Sequence, residues 1–156
     1  MLEIDILSFG TVKLKHLVSD FTGTLSVGGK LLPGVKERLN KLSELLEVHV
    51  LTSDTFGKAK AELKDVHCQT HILKGDYHDI QKEEYVLNLG ASSVIAFGNG
   101  NNDRKLLRIA RVGIAVTEGE GCSIDTMMSA DIHVAGIKNG LDLLLHPKRF
   151  KATLRY

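Results

Sequence analysis

A chain of 156 residues can bury one core and is short for two, and a formal charge of +1 with 25% charged residues gives neither nucleic acid nor an acidic membrane surface a field to bind. Cys68 and Cys122 are too few for a disulfide framework, the opening Met1-Leu-Glu-Ile-Asp-Ile has acids where an export signal is basic and then apolar, and no run nears the roughly 20 apolar residues of a membrane span. A soluble, intracellular protein without nucleic acid or membrane as its main partner is expected, as a single cytoplasmic domain over 1–156.

Leu2-Glu-Ile-Asp-Ile and Thr11-Val-Lys-Leu-Lys alternate apolar and polar residues around Ser8-Phe-Gly10, which predicts an N-terminal β-hairpin at a sheet edge. His16-Leu-Val-Ser-Asp20 follows as an apolar strand ending on a carboxylate, after which Phe21-Thr-Gly-Thr24 turns the backbone sharply. Ser26-Val-Gly-Gly-Lys30 predicts a tight turn and a short flap. Residues 33–46 open with proline and put Val35, Leu39, Leu42 and Leu46 on one face of an amphipathic helix. A strand over 48–51 runs into Thr52-Ser-Asp-Thr55, and a helix over 56–65 follows. Then come a short strand over 68–73, a helix over 79–89 stopped by Gly90, and a strand over 93–97 closed by Gly98-Asn-Gly-Asn-Asn-Asp103. Helix 104–110, strand 112–116, helix 124–130, strand 132–134 and helix 140–145 complete the alternation, and from Pro147 on the chain reads as a solvated basic tail. Strands alternating with helices at this spacing predict a parallel sheet covered on both faces.

The strands of such a sheet end on one edge, where open α/β proteins bind ligands, so the loops after Asp20, Leu51 and Phe97 are expected to open side by side. Asp20 is the candidate nucleophile. Thr52 offers a hydroxyl beside the N–H groups of a helix start, a combination suited to phosphate oxygens. Asn99 and Asp103 offer the hard oxygens that Mg²⁺ takes, and Lys82, with Lys74 as its rival, offers a cation.

Asp20-Phe-Thr-Gly-Thr24 resembles the first motif of the haloacid dehalogenase-like superfamily, in the version Asp-Lys-Thr-Gly-Thr found in the phosphorylation domain of P-type ATPases. Thr52-Ser-Asp54 resembles the second motif, Lys82 the third, and Gly98 to Asp103 the fourth, Gly-Asp-Gly-x-Asn-Asp, with Val112-Gly-Ile-Ala-Val as the strand that follows; the resemblance covers 14–134. It implies a three-layer α/β sandwich with a parallel central sheet, and a Mg²⁺-dependent phosphatase or phosphotransferase acting on a small phosphorylated substrate through an aspartyl phosphate on Asp20. It further implies Thr22, Thr52 and Lys82 as catalytic partners, Phe21, Gly23, Thr52, Ser53, Lys82 and Asn102 around the substrate, and Asp20, Thr22, Asn99 and Asp103 around the metal.

Two departures from the family pattern matter. Thr22 stands where most family phosphatases have an acid–base aspartate, and a positioned acid–base group is worth roughly 10²–10⁴-fold, so good leaving groups and slow hydrolysis of the phosphoenzyme are expected. Asn99 stands where a metal-binding aspartate is usual, which removes a negative charge and predicts weaker metal binding. The gaps from Asp20 to Thr52 and from Thr52 to Lys82 cannot hold a cap domain, so the site is expected to be open or roofed by a neighbouring subunit in a homo-oligomer. Competing readings are a low-turnover regulatory or binding module serving a protein partner, and a phosphorylation domain working with a membrane pump. His67, Cys68, His71 and His78 form no closed zinc pattern, and Gly113, Gly119 and Gly121 form no dinucleotide fingerprint.

Overall fold

The computed structural model describes residues 1–54 and 57–156; the expected helix over 56–65 therefore begins outside the described residues, as does Thr55 of the preceding loop. The chain opens with an antiparallel hairpin, β1 (Leu2–Ile6) and β2 (Gly10–Leu14), in which Ile4 faces Val12. This hairpin is a sheet of its own and does not extend the edge of the central one. The reason lies in the next strand, β3 (His16–Asp20), which has neighbours on both sides and no free edge to offer. The apolar face of the hairpin, Ile4, Ile6, Val12 and Leu14, packs instead into the core.

A second ribbon, β4 (Ser26–Val27) and β5 (Lys30–Leu31), turns through Gly28 and Gly29, both at positive φ as a tight hairpin turn requires. After it come α1 (Val35–Leu42), β6 (Glu47–Thr52), α2 (Lys58–Glu62), β7 (Gln69–Ile72), α3 (His78–Leu89) and β8 (Val94–Gly98). The chain ends with α4 (Arg104–Ile109), β9 (Val112–Thr117), α5 (Ile124–Met128), β10 (Ile132–Ala135), α6 (Ile137–Leu145) and α7 (Pro147–Leu154).

Six strands form one parallel sheet in the order β10-β9-β8-β3-β6-β7. Both faces are covered. Leu17, Val48, Val50, Ile95 and Phe97 pack with the apolar residues of α1, α6 and α7, while Val18, Leu51, Val94 and Ala96 pack with those of α3 and α4. From β3 the chain moves outward through β6 to β7, then returns to β8 on the other side of β3 and moves outward again. The reversal leaves a crevice beyond the carboxyl ends of β3 and β8, the place where such sheets take ligands.

Among the departures from the sequence expectation, three have a clear physical cause. Helix α1 stops at Leu42, where the hydroxyl of Ser43 bonds back to the carbonyl of Asn40 and the chain turns to feed β6. Helix α6 begins at Ile137, because the carboxylate of Glu118 accepts that residue's N–H at 2.7 Å; Gly140 lies inside the helix, where a Cβ would come within 2.9 Å of the Phe97 ring. Most consequentially, the basic end is no tail. Pro147 sits at the start of α7 and Phe150 is completely buried in the main core.

Candidate functional site

Asp20 ends β3 at the crevice, and its two carboxylate oxygens face different partners. Oδ1 accepts from the Lys82 ammonium at 2.8 Å, and Oδ2 from the Thr24 hydroxyl at 3.1 Å. Lys82 lies in the second turn of α3 and is 1% exposed, so its stem crosses apolar core to bring the charge to the sheet edge. All three of its protons are placed, on Asp20, on Asp103 Oδ1 at 2.7 Å and on Asn102 Oδ1 at 3.3 Å. The other oxygen of Asp103 accepts the N–H groups of Asn99 and Gly100, both at 3.0 Å, and folds the loop after β8 around itself. Gly98 is obligatory there, since a Cβ would lie 2.5 Å from that of Asp103.

Charge explains why the group is poised. Burial raises the pKa of Asp20 to about 6, the Asp103 charge adds to the rise, and Lys82 and the Thr24 hydroxyl oppose it. Burial alone would lower the Lys82 pKa, but the two carboxylates outweigh it and keep the ammonium charged. Two buried carboxylates and one ammonium leave one negative charge uncompensated when all three are ionised.

The oxygens around Thr24 point to where a cation fits. Its hydroxyl has one proton, yet Asp20 Oδ2 and Asn99 Oδ1 both lie 3.1 Å from it, so one of these two acceptors goes without that donor. A carboxylate and an amide oxygen converging on a negatively charged pocket are a donor set that fits Mg²⁺. Asp103 is less available, because both of its oxygens are engaged by protein donors. Asn99 is held in place by its own amide, which donates to the Gly121 carbonyl at 3.1 Å, and by Gly23, at φ 79°, whose missing Cβ would lie 2.5 Å from that amide.

A cavity of about 360 Å³ opens over Asp20 and is lined among others by Thr22, Thr52, Ser53, Lys82, Asn99 and Asn102. Those expected residues therefore come together. Phe21 and Gly23 do not line it: Phe21 is buried, and its carbonyl accepts the N–H groups of Thr24, Leu25 and Ser26 to close the turn. Lys74, the rival cation, is exposed. The helix start expected beside Thr52 is not free for a phosphate, because the Asp54 carboxylate takes the N–H groups of Ala59 and Lys60 and the Thr52 hydroxyl accepts that of Asp54. His67, Cys68, His71 and His78 do not converge either; among the described residues the metal-competent cluster is His16, Glu47 and His49, at the opposite sheet edge.

Three residues of the site escape sequence reasoning. Thr24 sits inside the first motif, but its double contact needs Asn99 brought across the crevice. His78 lies one helical turn before Lys82 on α3, lines the same cavity, and has a buried Nε2 with no hydrogen-bond partner among the described residues; the four-residue spacing is the signal that could have found it. Glu120 reaches the cavity from the loop after β9 and accepts the Gly28 N–H at 3.2 Å, tying the flap across the opening.

No family model matches the chain. An uncharacterized protein of Methanocaldococcus jannaschii is 52% identical over 62 residues, 40% of this chain and 67% of that one. A copper-exporting P-type ATPase of Staphylococcus aureus is 32% identical over 143 residues, 86% of this chain; the chain spans 16% of that protein's length. Among solved structures, the 3-deoxy-D-manno-octulosonate 8-phosphate phosphatase of Moraxella catarrhalis, in complex with magnesium, phosphate and a sugar acid, superposes with a TM-score of 0.71 at 19% identity, over 91% of this chain and 94% of that one.

Proposed function

We propose that the chain, which has the fold of solved haloacid dehalogenase-like hydrolases and resembles part of a P-type ATPase, is a member of that superfamily and a phosphatase or phosphotransferase in which Asp20 accepts the phosphoryl group. The observation that carries this reading is the buried Asp20–Lys82–Asp103 arrangement at the mouth of the crevice. A carboxylate oxygen of Asp20 attacks phosphorus in line, the P–O bond to the leaving group breaks, and water then attacks the aspartyl phosphate to release phosphate and restore the carboxylate. Lys82 offsets charge on the phosphoryl oxygens, and the Thr52 hydroxyl, whose proton is free to donate, holds them. Asp103 acts through Lys82 and through the loop it folds. Mg²⁺ held by Asp20, the Thr22 carbonyl and the Asn99 side chain would supply further charge neutralisation.

Thr22 offers the leaving group no acid, so the preferred substrates are small phosphate esters or anhydrides with good leaving groups. The reading is tested by phosphate release from an activated aryl phosphate. Release that requires Mg²⁺ and is lost in Asp20→Asn supports it, and full turnover by Asp20→Asn contradicts it. Thr22 and Asn99 favour one second reading, a low-turnover module serving a protein partner or a pump, whose signature is tight beryllofluoride binding without release. A site covered among the described residues by no separate cap motivates assembly as a homo-oligomer, which a monomeric mass in solution would refute.

A further inference from the structure

Parallel pairing of β3 with β6 sets His16 beside Glu47, and His49 follows two residues on, so all three share the sheet face that α3 covers. They stand at the amino end of the strands. His16 and Asp20 are the two ends of a five-residue strand, which separates this cluster from the phosphoryl site by about 13 Å at ~3.3 Å per residue.

His16 Nδ1 lies 3.2 Å from His49 Nε2 and 3.5 Å from Glu47 Oε2, and the third side, His49 Nε2 to Glu47 Oε2, is 3.9 Å. A tetrahedral ion with bonds of about 2.0–2.1 Å holds neighbouring ligand atoms roughly 3.3 Å apart, so the triangle is close to one face of such a tetrahedron. His49 is oriented from behind: its Nδ1 lies 3.0 Å from the Tyr85 hydroxyl on α3, which leaves Nε2 to face the other two groups. The His49 ring is buried, His16 is half-buried and Glu47 is exposed, which gives a fixed base and an open fourth position. Access exists as well. Glu47 also lines a groove of about 720 Å³ with Lys15, Val48, Cys68 and Gln69.

We propose that His16, His49 and Glu47 bind one zinc-class divalent cation, separate from the phosphoryl site, tying β3 to β6 and, through Tyr85, to the helix that carries Lys82. Two imidazoles and one carboxylate select this class over Mg²⁺, which wants oxygens. The protein-only alternative is a single proton shared between the two rings with the Glu47 carboxylate as its counter-charge, which would bind no metal.

The test is a titration of the full, chelator-treated chain with Co²⁺, read by its visible absorption, followed by displacement with Zn²⁺. Intense bands of four-coordinate Co²⁺ at one equivalent per chain are expected, displaced by Zn²⁺ and untouched by Mg²⁺. His16→Asn should abolish them, the exposed Glu47→Gln should weaken binding at least about tenfold, and Asp20→Asn should keep them. Only weak six-coordinate bands, or bands that survive His16→Asn, would overturn the assignment; bands lost in Asp20→Asn would place the ion at the phosphoryl site and overturn it equally.

Discussion

Lys82 carries more of this site than any other side chain, since it is the one cation between two buried carboxylates. Lys82→Met leaves Asp20 and Asp103 facing each other without it, which is expected to cost about 3–5 kcal/mol of stability and to remove phosphate release. A variant that melts with the wild type and still turns over would contradict the arrangement. Thr22→Asp works in the other direction. It restores an acid–base group beside the nucleophile and is expected to raise hydrolysis of poor-leaving-group esters by at least about tenfold, against the 10²–10⁴-fold that a well-placed group supplies. Steady-state rates on paired aryl and alkyl phosphates measure this, and equal rates on both would argue against the role given to Thr22. At this scale the sequence is legible where one residue ends a strand: Asp20 and Thr52 follow directly from apolar runs meeting polar clusters. Thr24 and Glu120 are not legible in the same way, since each acts through a partner from a distant element that only folding brings near, and His78 is marked only by its spacing of four from Lys82.

The elements divide along the same line. Strands β3, β6, β8 and β9 are read correctly because an apolar run of this length, buried on both faces, has few alternatives in a chain of this composition. Helix α7 is misread as a tail because Lys148, Arg149 and Lys151 dominate its composition, although Phe150 and Leu154, four apart, mark a face that packs on the core. Phe150→Ala is accordingly expected to destabilise the fold by about 3–5 kcal/mol, whereas a solvated tail would tolerate it; thermal or urea unfolding decides between the two. Helix α6 shows the other limit. Its start is fixed by Glu118, 19 residues earlier, a cap that no local pattern reveals.

Across the whole molecule, α1 and α6 are joined over the sheet face by the fork of Arg38 on Asp142, Nε to Oδ1 at 2.8 Å and Nη2 to Oδ2 at 3.1 Å. The hydrogen bond from Arg38 is the main cause that holds the Asp142 carboxyl below its ordinary range. A depressed folded pKa means that the ionised form stabilises the fold: the contribution is present above the ordinary carboxylate value of about 4 and fades as pH falls through the lower folded value. Arg38→Met should therefore melt below the wild type at neutral pH, with the gap closing in acid; a gap independent of pH would point to packing alone. No helix of the described residues is long and apolar enough to cross a membrane.

The claim on which the account turns is that Asp20 takes the phosphoryl group. Acid-quenching the full chain during turnover of acetyl phosphate with Mg²⁺, then mapping its peptides by mass spectrometry, tests it directly. One hydroxylamine-labile phosphoryl group on the peptide containing Asp20, absent from Asp20→Asn, is the expected result. Phosphate release without that adduct, continuing unchanged in Asp20→Asn, would contradict it.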